Sequence, residues 1–330
     1  MQLLNLTPAE IFSSCKPMGR ISCTDDGILC DWSASGFSIN VRANGIVLDF
    51  APYQGDQPAY VGVIVDGVKQ VHALSDCICR IVVPMTDGVH TVTVLRLSEG
   101  GVLYCKAVRL SAPFGGDAPA LLPPPARKNR RIVFFGDSIT CGFGNMGDLS
   151  CPFLTSEEDP TAAYAYRCAE LMGADAELVS ISGQGIVRDC SGNTGIPIPK
   201  FFLWQSRCLR TPHTFADDAD FVVVNAGTND NGGGVTDEEF HDGAKAFIED
   251  LRAHYPRAKL VWYYGLMGLR YDAVLRALEA ELAQTPAAFT YLPVRQIARA
   301  AGEVGACWHP TVEGDERGAA ELAAMLNRMA

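Results

Sequence analysis

The stretch Val133-Phe134-Phe135-Gly136-Asp137-Ser138-Ile139-Thr140 decides the architecture. An apolar run that closes on Gly-Asp-Ser reads as a buried parallel strand ending at its carboxyl edge, where open α/β sheets gather their ligands. The Ser138 hydroxyl then stands where strand gives way to turn, a place suited to a nucleophile. Two further runs end in the same manner. Glu177-Leu178-Val179 leads into Ser180-Ile181-Ser182-Gly183-Gln184-Gly185, and Phe221-Val222-Val223-Val224 leads into Asn225-Ala226-Gly227-Thr228-Asn229-Asp230. Leu260-Val261-Trp262-Tyr263-Tyr264 and Phe289-Thr290-Tyr291-Leu292 supply two more strands, while helical apolar spacing marks Thr161–Met172, Asp237–His254, Tyr271–Ala283 and Glu316–Met329. Five strands alternating with helices predict a doubly wound parallel sheet with helices on both faces.

The N-terminal part has another rhythm. Short β-rich runs (Phe37–Val41, Gly45–Phe50, Tyr60–Val65, Cys79–Val83 and Thr91–Arg96) are punctuated by Ala43-Asn44-Gly45, Asp66-Gly67 and Glu99-Gly100-Gly101. This spacing predicts an antiparallel, jelly-roll-like β-sandwich over residues 1–117. Ala118-Pro119-Ala120-Leu121-Leu122-Pro123-Pro124-Pro125 opens a semi-rigid connector over 118–130, and the α/β domain is expected over 131–330. A length of 330 residues suits about two domains, and 48% apolar content is enough for each to bury a core. No internal repeat is visible.

Acyl transfer needs an oxygen nucleophile, a base to take its proton and fixed donors where the oxyanion forms. Ser138 meets the first need, and His309, in Trp308-His309-Pro310 ahead of the last helix, meets the second. The four segments around Ser138, Gly183, Asn229 and His309, in this order, resemble the blocks of the SGNH (GDSL-type) hydrolase superfamily, named for those residue types. That resemblance implies an oxyanion hole made by the backbone N–H groups of Ser138 and Gly183 and the side-chain amide of Asn229. One position departs from the pattern. The superfamily usually carries an Asp three residues before its His, and here that position is Ala306. Glu303 and Glu313 are the nearest acidic side chains, neither at that spacing, so a Ser–His dyad is expected, with a backbone carbonyl facing Nδ1 of His309.

Rival chemistries lack their motifs. Thr140 stands where a Gly-x-Ser-x-Gly elbow needs glycine, and no Ser-x-x-Lys, Walker loop, His-Glu-x-x-His or paired Cys-x-x-Cys occurs. Cys77-Ile78-Cys79 has no partner pair, so neither a metal nor a cofactor is expected. A formal charge of −11 opposes binding to nucleic acid or an anionic membrane. The basic run Arg127-Lys128-Asn129-Arg130-Arg131 reads as a solvated linker. No stretch reaches the length of a membrane span. The 12 cysteines follow no framework spacing and Met1–Leu6 has no leader-like pattern, which points to free thiols in the cytoplasm, with secretion the alternative had a leader preceded this sequence.

A β-sandwich joined to an SGNH domain is similar to carbohydrate esterase family two. The similarity rests on Tyr60-Val61-Gly62-Val63-Ile64-Val65-Asp66-Gly67, the hairpin around Gly88-Val89-His90-Thr91-Val92, and Gly136-Asp137-Ser138-Ile139-Thr140-Cys141-Gly142-Phe143-Gly144. It implies a serine esterase acting on acetylated plant oligo- or polysaccharides. It also implies an aromatic at the cleft. Trp308 is either that stacking surface or a wedge supporting the His loop, and Trp204, in the long insertion between Gly185 and Thr214, is a second candidate. A lipid or thioester acyl hydrolase of the same superfamily and a non-catalytic carbohydrate-binding protein remain open alternatives. Oligomeric state leaves no trace in the sequence.

Overall fold

A computed structural model describes residues 1–53, 55–150 and 152–330. These form two compact units. One comprises Met1–Arg127 with Gln205–Leu209, the other Lys128–Trp204 with Arg210–Ala330.

The first unit holds strands β1 (Gln2–Leu6), β2 (Lys16–Met18), β3 (Ser22–Thr24), β4 (Gly27–Leu29), β5 (Gly36–Phe50), β6 (Ala59–Val65), β7 (Val68–Leu74), β8 (Arg80–Arg96), β9 (Tyr104–Ala112) and β10 (Ala120–Leu122), with one helix, α1 (Pro8–Ser14). All ten strands share a single antiparallel sheet, curled around one core, with β3-β4-β9-β5-β8-β6-β7 as its main path. Alternation makes that core. Phe37, Ile39, Val41 and Ala43 of β5 turn inward, as do Val61 and Val63 of β6, Val92 and Val94 of β8, and Val108 and Leu110 of β9.

One expected turn and part of the expected connector lie inside strands. β5 and β8 pair almost end to end, with a register shift between Ala43 and Gly45, so Ala43-Asn44-Gly45 makes a bulge that bends a 15-residue strand. The proline-rich segment also adds to the sheet, where Leu121 lies opposite Val41. Residues 205–209 are bound by buried polar groups of this unit. The Asp31 carboxylate accepts from Ser206 Oγ at 2.6 Å and from the Cys208 N–H at 2.9 Å, and Trp32 Nε1 donates to the Gln205 carbonyl at 2.9 Å.

The second unit is built on parallel strands β11 (Arg130–Gly136), β12 (Ala174–Ser180), β13 (Phe221–Asn225), β14 (Lys259–Tyr264) and β15 (Thr290–Pro293), in the order β12-β11-β13-β14-β15. Its helices are α2 (Ser138–Cys141), α3 (Tyr164–Leu171), α4 (Ile198–Phe201), α5 (Thr228–Gly232), α6 (Asp237–His254), α7 (Asp272–Leu282) and α8 (Val312–Met329). Val133, Phe134 and Phe135 are fully buried, as a strand covered on both faces requires. Helix α6 begins at a capping box in which Thr236 and Glu239 each accept the other's backbone N–H, and it buries Phe240, Ala244, Phe247, Ile248 and Leu251 along one stripe. Helix α8 starts earlier than its apolar spacing suggested, because the Thr311 side chain caps it through the Gly314 N–H.

The topology sets the site. Strands β11, β12 and β13 end side by side at Gly136, Ser180 and Asn225, so the segments that follow them converge on one edge. The eleven described cysteines are free; Cys151 lies outside the described residues. No helix among the described residues is long and apolar enough to cross a membrane.

Candidate active site

Ser138 is the first residue of α2. Asp137 caps that helix, its Oδ1 accepting from the Ile139 N–H at 3.0 Å. The turn is short because Gly142 closes it in the left-handed region at φ 76°. Ser138 is thereby presented with 7% exposure, and its hydroxyl donates to His309 Nε2 over 2.7 Å.

The other imidazole nitrogen explains how a dyad can serve. Nδ1–H donates to the carbonyl of Cys307 at 3.0 Å. A carbonyl only accepts, so this bond holds the proton on Nδ1 and leaves the Nε2 lone pair for Ser138. The backbone bends to make it possible: Cys307 and Trp308 both lie in the left-handed region, at φ 51° and 65°, within the single turn Ala306–Trp308. Two adjacent non-glycine residues there are strained, and such strain collects at functional sites. Burial pushes the His309 pKa below the ordinary imidazole value, while the carbonyls of Cys307 and Ala306 pull the other way. The ring is therefore neutral at pH 7, with its Nε2 lone pair facing the Ser138 hydroxyl.

Neither nearby glutamate takes the missing carboxylate's place. Glu303 is committed to Arg295 at 2.7 Å and Arg317 at 2.9 Å and accepts from the Ala298 N–H, and Glu313 is exposed on the first turn of α8.

The expected oxyanion donors follow the ends of β11, β12 and β13. Gly183, at φ 80°, turns the chain after β12, and a side chain there would meet Cys190 Sγ at 3.5 Å. Among the described residues the N–H groups of Ser138 and Gly183 make no hydrogen bond within the chain. Asn229, on the first turn of α5 and 8% exposed, aims its amide at the same edge; Nδ2 donates to Asp137 Oδ2 at 2.9 Å and to the Gln184 carbonyl at 3.0 Å. Both amide hydrogens are thus engaged at rest.

Two acids play parts that the sequence reading left unassigned. Asp137 joins the nucleophile's helix to Asn229, one oxygen to each. Asp230 is buried and accepts from the N–H groups of Ile186, Val187 and Arg188, fixing the loop that follows Gly183; burial raises its pKa while those three donors oppose the rise. Their signal was their place inside Gly-Asp-Ser and Thr-Asn-Asp, although spacing alone gives no partner.

Of the two tryptophans, Trp308 projects beside His309 with 62% exposure, which excludes the wedge role. Trp204 is half-buried with the Arg210 guanidinium over its ring, 5.3 Å from the centroid. Aromatics also crowd the base: Phe143 packs on His309, and Phe153 stacks on Phe143.

A five-stranded doubly wound sheet that brings a serine hydroxyl and a histidine within hydrogen-bond distance at its strand edge has the arrangement of a hydrolase. The chain belongs to the GDSL-like lipase/acylhydrolase family, whose model matches residues 134–317, and residues 17–125 match the carbohydrate esterase 2 N-terminal model. A cellulase/esterase of Acetivibrio thermocellus is 27% identical over 257 residues, 76% of this chain and 31% of that protein. The chain thus spans about a third of that relative. An acetylxylan esterase/glucomannan deacetylase of Cellvibrio japonicus is 24% identical over 74% of this chain and 69% of its own length. Among solved structures, an acetyl xylan esterase from Butyrivibrio proteoclasticus superposes with TM-score 0.85 at 17% identity, covering 100% of this chain and 99% of the other. A family two carbohydrate esterase from Clostridium thermocellum, in complex with cellohexaose, superposes with TM-score 0.83 at 23% identity, covering 96% and 98%. The expected likeness to carbohydrate esterase family two is borne out in both units.

Proposed function

We propose that this chain is a serine esterase that removes O-acetyl groups from carbohydrates, acetylated xylan or related plant oligosaccharides, through an acetyl-Ser138 intermediate. The observation that carries this reading is the 2.7 Å hydrogen bond from Ser138 to an imidazole whose tautomer is already set. His309 Nε2 takes the hydroxyl proton as Oγ attacks the acetyl carbonyl. The resulting oxyanion is met by the N–H groups of Ser138 and Gly183 and by Asn229 Nδ2. The imidazolium then protonates the departing sugar oxygen, leaving acetyl-Ser138. Water attacks this ester with His309 again as base, acetate leaves and the serine is restored.

Carbohydrate as the leaving group is supported by the names of the relatives and by the cellohexaose held by a protein of the same fold. Trp308 adds a local reason. Its exposed indole beside the base offers a flat apolar face on which a pyranose ring can stack. A cytoplasmic setting, the inference from scattered thiols, favours short imported oligosaccharides over intact polymer.

The test compares wild type and Ser138→Ala on acetyl, butyryl and octanoyl p-nitrophenyl esters and on acetylated xylo-oligosaccharides. Acetyl-selective turnover that disappears in the variant, with acetate released from the oligosaccharide, is expected. Octanoyl preference would move the chain to lipid acyl hydrolysis, and turnover independent of Ser138 would remove the mechanism.

A further inference from the structure

A dyad held by one carbonyl has two deficits. In a Ser–His–Asp site the carboxylate fixes the imidazole orientation and stabilises the cation formed when the ring takes the serine proton. The Cys307 carbonyl provides one acceptor on Nδ1. It carries no full charge, and carbonyl oxygens tolerate a broad range of donor directions. The hydrogen bonds to Cys307 and Ser138 grip the ring at its two nitrogens, leaving its tilt about the line between them to be set by packing.

Phe143 is placed to set it. The residue follows the Gly142 cap of α2, and its N–H donates to the Ser138 carbonyl at 3.0 Å, so its backbone moves with the nucleophile. Its ring lies against His309 with centroids 4.8 Å apart and planes at 45°. Phe153 stacks on Phe143 in turn, centroids 3.6 Å apart and nearly parallel at 10°. Both phenyl rings are half-buried. An aromatic face within this distance also attracts a cation. The imidazole is neutral at rest and cationic only after proton transfer, so that attraction favours the transition state over the ground state, as catalysis requires.

We propose that Phe143, braced by Phe153, is a positioning residue that does part of the work of the absent carboxylate: it fixes the tilt of His309 and supports its cationic form during turnover. The proposal rests on the Ser138–His309 reading above and adds a residue to it. Leucine at 143 keeps apolar bulk without a π face, whereas tyrosine keeps both. Phe143→Leu lowers kcat by about five- to thirtyfold, the worth of one desolvated cation–π contact, with KM within twofold. Phe143→Tyr restores most of the loss. Phe153→Leu, which removes the brace alone, gives a smaller fall of the same kind.

The experiment measures kcat and KM on acetyl esters for these variants, with thermal midpoints, and records the imidazole nitrogen shifts of His309 by NMR, assigned with His309→Gln. Those shifts report a single tautomer protonated at Nδ1 in wild type and in Phe143→Leu alike, because the Cys307 carbonyl sets it, whereas their titration moves to lower pH in Phe143→Leu, where the cationic ring loses its support. Wild-type kcat in Phe143→Leu overturns the proposal, as does a loss that falls on KM instead. Should the wild type hydrolyse no ester, the esterase reading fails separately, and a His309 titration unchanged in Phe143→Leu would then overturn the role proposed for Phe143. If Phe143→Leu does not fold, Phe153→Leu decides by the same readouts.

Discussion

Asn229 is structural at rest, and the proposed esterase mechanism gives the same side chain a second part as an oxyanion donor. Its amide joins the Asp137 carboxylate to the Gln184 carbonyl, tying the start of α2 to the loop that carries Gly183. A charged oxyanion is a stronger acceptor than the neutral Gln184 carbonyl. The bond to Asp137 can persist while the second hydrogen turns to substrate, so the donor is oriented before charge develops, and little reorganisation remains for the reactive moment. Asn229→Ala should therefore lower kcat by roughly a hundred- to a thousandfold. It should also lower stability by about 1–3 kcal/mol, because the Asp137 oxygen is left buried without that donor. Turnover on p-nitrophenyl acetate and a urea midpoint separate the two effects. Wild-type turnover would take Asn229 out of the oxyanion hole, and a fall in activity no larger than the loss of folded protein would reduce it to a brace.

Among the elements, the loop from Gly302 to Thr311 explains why a carbonyl and not a carboxylate faces Nδ1 of His309. Ala306 is fully buried against two glycines of the loop after α2: a methyl group on Gly144 would come within 3.0 Å of Ala306 Cβ, and one on Gly147 within 3.1 Å. Three small residues meet where the superfamily pattern has its Asp, and Gly144 lies at φ 67°, a backbone region that disfavours side chains. An aspartate at 306 would have to push this contact apart and bury a charge. Ala306→Asp should cost at least about 2 kcal/mol of stability by overpacking and desolvation, read as a lower urea midpoint, with no gain in kcat. A stable variant with raised kcat would show that the loop has room for a triad. The same loop marks the limit of the sequence. The strand ends carrying Ser138, Gly183 and Asn229 were legible because buried parallel strands are continuous apolar runs that stop abruptly at small and polar residues. The carbonyl facing Nδ1 could be inferred only by elimination, since nothing in Ala306-Cys307-Trp308-His309 announces two successive left-handed non-glycine residues. In the first unit Asn44-Gly45 was read as a turn because bulges and turns use the same residues, and only pairing with β8 distinguishes them.

At the scale of the whole chain, the sequence crosses between its two units three times: once near Arg127, and again on either side of Gln205–Leu209. The returning segment is short, so its hold within the first unit depends on specific bonds more than on apolar area. Asp31 is the centre of that hold. It is almost fully buried, and its Oδ2 accepts both the Ser206 hydroxyl and the Cys208 N–H, while Ser206 Oγ in turn accepts from the Leu209 N–H at 2.9 Å. Arg207 adds a half-buried ion pair to Glu99 at 2.7 Å, and Gln205 Nε2 donates to the Ile21 carbonyl at 2.7 Å. Removing the Asp31 carboxylate strands the fully buried Ser206 hydroxyl and takes the acceptor from the Cys208 N–H, and a stranded buried group costs about 1–3 kcal/mol. Asp31→Ala should accordingly lose more stability than Ser206→Ala, which leaves the Cys208 bond to Asp31 in place. Limited proteolysis should register the change before global unfolding does, with cleavage within 205–209 appearing in Asp31→Ala under conditions where wild type is intact, because segments released from buried hydrogen bonds open locally at lower free energy. Equal resistance of the two proteins would mean that the side-chain bonds from Trp32 to the Gln205 carbonyl and from Gln205 to the Ile21 carbonyl suffice to hold the segment. Ready cleavage would make Asp31 the residue through which the first unit retains a piece of the loop that begins at Gly185.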